Sequence, residues 1–249
     1  MQRYFVQLCF KGTRFHGWQV QPDALSVQEV MEGAFSTVLR EKIRVVGAGR
    51  TDTGVHASFF ILHFESEDEH IDTSRLAQQM NSLLPSDIAL QKIWKVRPEM
   101  HARFSAVSRT YQYVITPVKD PFVVETAYYY RGPLDVTRMN EAAAILPQYN
   151  DFTSFSRSHT DVKTNLCKIF IASWHREGTN LVFTIQADRF LRNMVRAITG
   201  TLLDVGKGKL SAVDFRKIIE VKNRSAAGAS VPAHGLFLTD IRYPEECPE

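Results

Sequence analysis

The hydrophobic pattern of this 249-residue chain changes period in the same order twice, and that repetition limits the fold more than any other feature. Tyr4, Val6, Leu8 and Phe10 alternate as a half-buried strand does. After a turn-rich stretch over residues 11–22, Val27, Val30, Met31, Ala34, Phe35, Val38 and Leu39 recur at helical intervals behind Ser26 and Glu29, a pair at capping-box spacing. Residues 43–46 and 55–64 read as strands around the loop 47–54, residues 74–84 as a helix stopped by Pro85, and residues 88–96 as a strand. The order strand, helix, strand, strand, helix, strand is the split βαβ, or ferredoxin-like, unit.

The order restarts after Val107, with a strand at 109–115, a helix at 135–146, strands at 166–174 and 181–187, and a long helix beginning near Phe190. A helix at 212–221 and a strand at 236–242 complete it. The expected fold is therefore α+β: two ferredoxin-like halves, 1–105 and 106–249, forming one continuous, mainly antiparallel sheet with helices on one face and a central cleft. The join falls near Ser105, and no low-complexity linker marks it.

Composition narrows the function classes. With 44% hydrophobic and 23% charged residues the chain is an ordinary globular protein rather than a disordered or collagen-like one. Cys9, Cys167 and Cys247 are too widely spaced for a zinc knuckle or a redox pair, and an odd number cannot close a complete disulfide framework, which suits a reducing cytoplasm. The first ten residues lack a signal-peptide core, and no apolar run is long enough to cross a bilayer, so a soluble cytoplasmic protein is expected. The net charge is only +3, and all of the excess lies after residue 106.

The loop Gly47-Ala48-Gly49-Arg50-Thr51-Asp52-Thr53-Gly54 projects an arginine and an aspartate between two apolar strands. On local sequence alone a tight turn is the plainer reading. It is no phosphate cradle, because Val55 and His56 stand where Lys and Ser or Thr are needed, and the third glycine of a dinucleotide fingerprint is missing. His56 and His63, seven residues apart on one strand, should face opposite sides and not share a metal. Lys11, Arg14, Phe15, His16 and Trp18 mix cations with aromatics, as an RNA-facing surface does, although a packed loop has the same composition. If the last long helix starts near Phe190, Arg189, Arg192 and Arg196 form one basic ridge beside an apolar stripe of Leu191, Val195 and Leu202.

Gly49-Arg50-Thr51-Asp52-Thr53-Gly54-Val55-His56 resembles the signature of the tRNA pseudouridine synthase A family. Phe15-His16-Gly17-Trp18-Gln19, His101-Ala102-Arg103-Phe104-Ser105-Ala106, Asp151-Phe152-Thr153-Ser154-Phe155, Asn193-Met194-Val195-Arg196 and Gly235-Leu236-Phe237-Leu238 resemble further family motifs in family order. The resemblance implies an isomerase that converts uridine to pseudouridine in the anticodon arm of tRNA, at positions 38, 39 and 40, as a homodimer and with no cofactor or metal. It implies that Asp52 is catalytic, that Arg196 pairs with it, that Tyr111 stacks on the target base, and that Arg50 enters the stack the base has left. Lys11, Arg14 and Arg192 stand as candidate RNA contacts. Thr53, often alanine in the family, and Arg192, often aromatic or another polar residue, depart from its pattern. Two other functions fit the same residues: a noncatalytic RNA-binding module, for which no RNP-type run is present, and a glycosidic hydrolase, for which no second acid lies near Asp52 in sequence.

Overall fold

The computed structural model describes residues 1–157 and 164–244. The fold is α+β with mainly antiparallel strands. The chain groups into two compact units, one of Met1–Val107 joined by the stretch that begins at Phe237, the other of Ser108–Leu236.

In the first unit, β1 (Gln2–Phe10) lies between β4 (Ile88–Val96) and β3 (His56–Ser66), antiparallel to both. Tyr4, Val6, Leu8 and Phe10 are buried on one face, where Tyr4 stacks on Phe64 and Phe35 of α1 (Val27–Leu39) packs on the same ring. Ser26 Oγ accepts from Glu29 N at 3.2 Å, which satisfies one of the orphan N–H groups of α1. Asp72 caps α2 (Thr73–Leu83) through Arg75 N, and Leu84, forced into extended backbone by Pro85, ends it.

The other edge of β3 is shared. The three-residue β2 (Val45–Gly47) pairs antiparallel with Leu62–Phe64, while Phe237 and Leu238 of β9 (Leu236–Arg242) pair parallel with His56 and Ala57. The chain leaves the sheet at Ala48, whose N–H still reaches Ile61 O, and rejoins it at His56. The Asp52 loop therefore connects a strand paired with Leu62–Phe64 to the start of β3.

One expectation fails on β3. Leu8 pairs with Phe60 but Phe10 with Ala57, so β3 carries an extra residue there. The bulge reverses the alternation and returns His56 and His63 to the same face, roughly 20 Å apart along the strand. Each ring instead accepts a backbone N–H: His56 Nδ1 from Gly12 at 2.9 Å, His63 Nδ1 from Ala102 at 3.1 Å.

In the second unit, β5 (Ser108–Thr116), β8 (Asn180–Ala187) and β7 (Ile169–Glu177) form an antiparallel sheet in that order, with a two-residue β6 (Tyr128–Tyr129) on β5. Helix α3 (Val136–Ala143) stops short of Leu146, where Pro147 turns the chain into a 3-10 turn. Helix α4 (Met194–Gly206) is buried on almost every side between α3 and α5 (Ala212–Glu220). It starts four residues later than the periodicity suggests, because Asn193 adopts a left-handed φ of 66°. Arg189 and Arg192 precede the helix, so the basic ridge expected from their spacing with Arg196 does not exist. No helix among the described residues is long and apolar enough to cross a membrane. Cys9 and Cys167 are free thiols, burial pushing that of Cys167 up to about 12, and Cys247 lies outside the described residues.

Candidate active site

The first unit supplies the Asp52 loop and its support. Residues 12–18, whose cations and aromatics read either as an RNA-facing surface or as a packed loop, are a packed buttress: Phe15 and Trp18 are buried, with Trp18 stacked on Phe60 at 4.3 Å. Gly17 O and Trp18 O accept from Val27 N and Gln28 N at the start of α1, so the buttress is tied to a helix end. On its other side Phe15 O accepts from Gly54 N at 3.3 Å, and Val55 N turns back to Asp52 O at 3.1 Å. Gly17 has a φ of 85°, and a Cβ there would sit 2.2 Å from Thr51 O; only glycine lets the two loops meet. The resemblance of Phe15-His16-Gly17-Trp18-Gln19 to a family motif thus has a physical content in this chain, the fixing of the backbone beside Asp52.

Asp52 is half-buried in that clamp and Arg50 is exposed. Lys11 and Arg14 are also exposed; Arg14 is ion-paired with Asp87, whose carbonyl takes the N–H of Lys11 at 2.8 Å.

The second unit holds Tyr111, Arg192 and Arg196. Tyr111 is half-buried on β5 opposite Ile185, with the ring of Phe190 edge-on at 5.2 Å. Two residues on, Tyr113 is fully buried and its hydroxyl donates to Pro232 O at 2.9 Å. Burial pushes that hydroxyl well above the usual tyrosine range, only partly offset by the charge of Arg196, so Tyr113 is a neutral structural donor.

Arg196 stands in the first turn of α4, where the helix dipole disfavours a cation. A strap over residues 228–232 compensates. Arg196 Nε donates to Val231 O at 2.8 Å, Arg196 O accepts from Val231 N at 3.2 Å, and Asn193 Nδ2 reaches Ser230 Oγ at 2.6 Å. The strap lies so close that a Cβ on Gly200 would be 1.8 Å from Ala229 O. Nothing in the local sequence announced this strap; the one available signal was glycine inside an otherwise apolar helix. Arg192 is exposed on the preceding turn, its carbonyl held by Arg157 N at 3.2 Å.

Asp151-Phe152-Thr153-Ser154-Phe155 is structural as well. Asp151 caps a 3-10 turn through Thr153 and pairs with Lys222 at 2.9 Å, while Phe152 and Phe155 are fully buried. The sequence-derived residues thus divide between the units, Arg50 and Asp52 in the first and Tyr111, Arg192 and Arg196 in the second.

A family model described as tRNA pseudouridine synthase matches residues 9–105 and 148–244. A protein of Bacteroides fragilis named tRNA pseudouridine synthase A is 56% identical over 247 residues, covering 99% of this chain and 98% of its own length. Relatives of the same name from Bacteroides thetaiotaomicron and Bacillus licheniformis are 54% and 41% identical, covering 99% and 95% of this chain and 92% and 97% of theirs.

Proposed function

The chain belongs to the tRNA pseudouridine synthase family, and from that membership we infer that it isomerises uridine to pseudouridine in tRNA. The reaction breaks the bond from C1′ to N1, turns the uracil over and joins C1′ to C5. A proton leaves C5 and one is taken up at N1, so no atom is gained or lost, and neither a redox group nor an activated water is required. What the protein must supply is a group that stabilises or attacks the sugar or base, together with a frame that holds both fragments.

Asp52 is our candidate for that group. The observation that carries the reading is its half-buried place in a loop clamped by the Gly17 buttress, inside the region matched by the family model. A carboxylate fixed through its backbone is already oriented when the nucleotide arrives, and orientation is where much of the rate comes from. Arg196 is proposed as its cationic partner, fixing its direction. Its placement at a helix start that disfavours a cation supports a role other than helix stability. Tyr111 is proposed to stack on the target base, and the exposed Arg50 to fill the gap left when that base turns out of its helical stack. The proposed substrate is the anticodon arm, with the enzyme working as a cytoplasmic homodimer.

The test is to incubate unmodified tRNA with wild type and with Asp52→Ala, then map pseudouridine by carbodiimide adducts. Wild type should form pseudouridine, and Asp52→Ala should form none while still binding the tRNA. Binding by wild type without pseudouridine would leave an RNA-binding module, and release of free uracil would make the protein a hydrolase.

A further inference from the structure

We infer that Phe104 is a fixed platform on which an unpaired base of the tRNA stacks, at a distance from the base that reacts. The inference deepens the proposed function and rests on it.

The case begins with the backbone. Every N–H from Met100 to Ser105 is bonded: Met100 N to Arg97 O, His101 N to Ser105 Oγ, Ala102 N to His63 Nδ1, Arg103 N and Phe104 N both to His101 Nδ1, and Ser105 N to His101 O, all between 2.9 and 3.2 Å. The carbonyls are anchored too. Arg3 Nη1 donates to Met100 O at 2.8 Å and Tyr243 Oη to Ala102 O at 2.6 Å, so the turn is fastened to β1, to β3 and to the segment after β9. Such bonding makes a rigid surface turn.

Yet the side chain this turn displays is apolar. Phe104 is 76% exposed, and a lone exposed hydrophobe is ordinarily uninformative. Its setting makes the difference. The ring packs at 4.4 Å from the ring of His101, and the guanidinium of Arg103 lies 5.5 Å from its centre. Rigid backbone, a propped aromatic face and an adjacent cation are what a nucleobase and its phosphate require together. Phe122 offers the contrast. It is more exposed, at 95%, but its N–H is held by the carboxylate of Asp120, which would repel a phosphate.

Position on the sheet sets the reach. The turn is pinned to His63, roughly 20 Å along β3 from His56, where the Asp52 loop ends. That span is on the order of six steps of a stacked strand. The platform therefore reads a second part of the RNA, not the reacting nucleotide.

Full-length protein carrying Asp52→Ala, which cannot turn over, is titrated with unmodified tRNA with and without further changes at Phe104. Phe104→Ala should weaken binding about tenfold, Phe104→Tyr and Phe104→Trp should restore it, and Phe104→Leu should not. In the active background KM should rise while kcat holds, with thermal stability unchanged. Tryptophan fluorescence of Phe104→Trp should be quenched by tRNA beyond any quenching in the Asp52→Ala parent. Equal binding by the alanine variant, full rescue by leucine, or a change of oligomeric state in Phe104→Ala would overturn the platform, the last by making a second copy of the chain its partner. Absence of pseudouridine in the wild-type reaction would instead overturn the proposed function and leave this binding comparison readable.

Discussion

His63 illustrates how a single side chain can tie fold to solution conditions. Its ring is buried beneath Phe5 and His101 and accepts the Ala102 N–H, a bond available only to the neutral imidazole. Burial first, then the charges of His101 and Arg3, lower its pKa from 6.5 to about 4, against a smaller opposing pull from Glu65. The unfolded chain therefore binds a proton between pH 6.5 and 4 that the folded chain refuses. Stability from His63 is complete above pH 6.5 and is lost as pH falls toward 4, by roughly 2–4 kcal/mol at the lower end. His101, lowered by its own burial and by Arg3 and Arg103, acts in the same direction. Thermal melts of wild type should thus drop steeply over that interval. Those of His63→Asn, whose side-chain oxygen can take the Ala102 N–H without titrating, should drop less, and parallel curves would refute the assignment.

Among the elements, α4 and the strap over residues 228–232 form one mechanical piece. The strap approaches the helix at Gly200 and holds Arg196 at Val231. Gly200→Ala should therefore act twice, forcing the strap outward and releasing the guanidinium it orients. Overpacking of this kind costs typically 1–3 kcal/mol. Activity measured well below the melting temperature should also fall, because the strap positions the proposed partner of Asp52. A destabilised variant with full activity would show that the strap serves only packing. The same region explains what was legible in the sequence. Strand β1 and helix α1 could be read from apolar spacing because Tyr4, Val6, Leu8 and Phe10 are buried at alternate positions, and Val27, Met31, Ala34 and Phe35 at helical ones. The start of α4 could not, since Leu191 and Val195 continue the helical period through a backbone reversal that Asn193 makes by bonding Ser230, far away in sequence. Nor could the bulge in β3, which is set by pairing with β1, or the strap, which works mostly through carbonyls and a missing Cβ. Asp52 and Arg196 are proposed only through resemblance to a family, and their local spacing alone favoured a turn and a surface helix.

For the molecule as a whole, a net charge of +3 is too small to draw a polyanion by itself, so tRNA affinity must come from where individual cations are placed. Many cations already have protein partners: Arg14 with Asp87, Arg44 with Glu32, Arg138 with Asp135, Lys222 with Asp151. Removing one of these exposes a carboxylate as well as deleting a charge, whereas removing a cation that touches phosphate reduces the number of counterions released on binding. The two effects differ in their dependence on salt. Log affinity for tRNA should fall linearly with log salt, and each phosphate contact contributes about 0.7 to 0.9 to the slope. Lys11, Arg14 and Arg192, all exposed, are the contacts proposed from sequence, and of these Arg14 is ion-paired with Asp87. Lys11→Ala and Arg192→Ala should each flatten the slope by nearly one contact, measured between 50 and 200 mM salt, a range of the order over which such contacts are resolved. Arg14→Ala should change affinity with little change in slope, because a guanidinium engaged by Asp87 neutralises no phosphate and so releases no counterion from the RNA. Unaltered slopes in Lys11→Ala and Arg192→Ala would remove both residues from the RNA contacts.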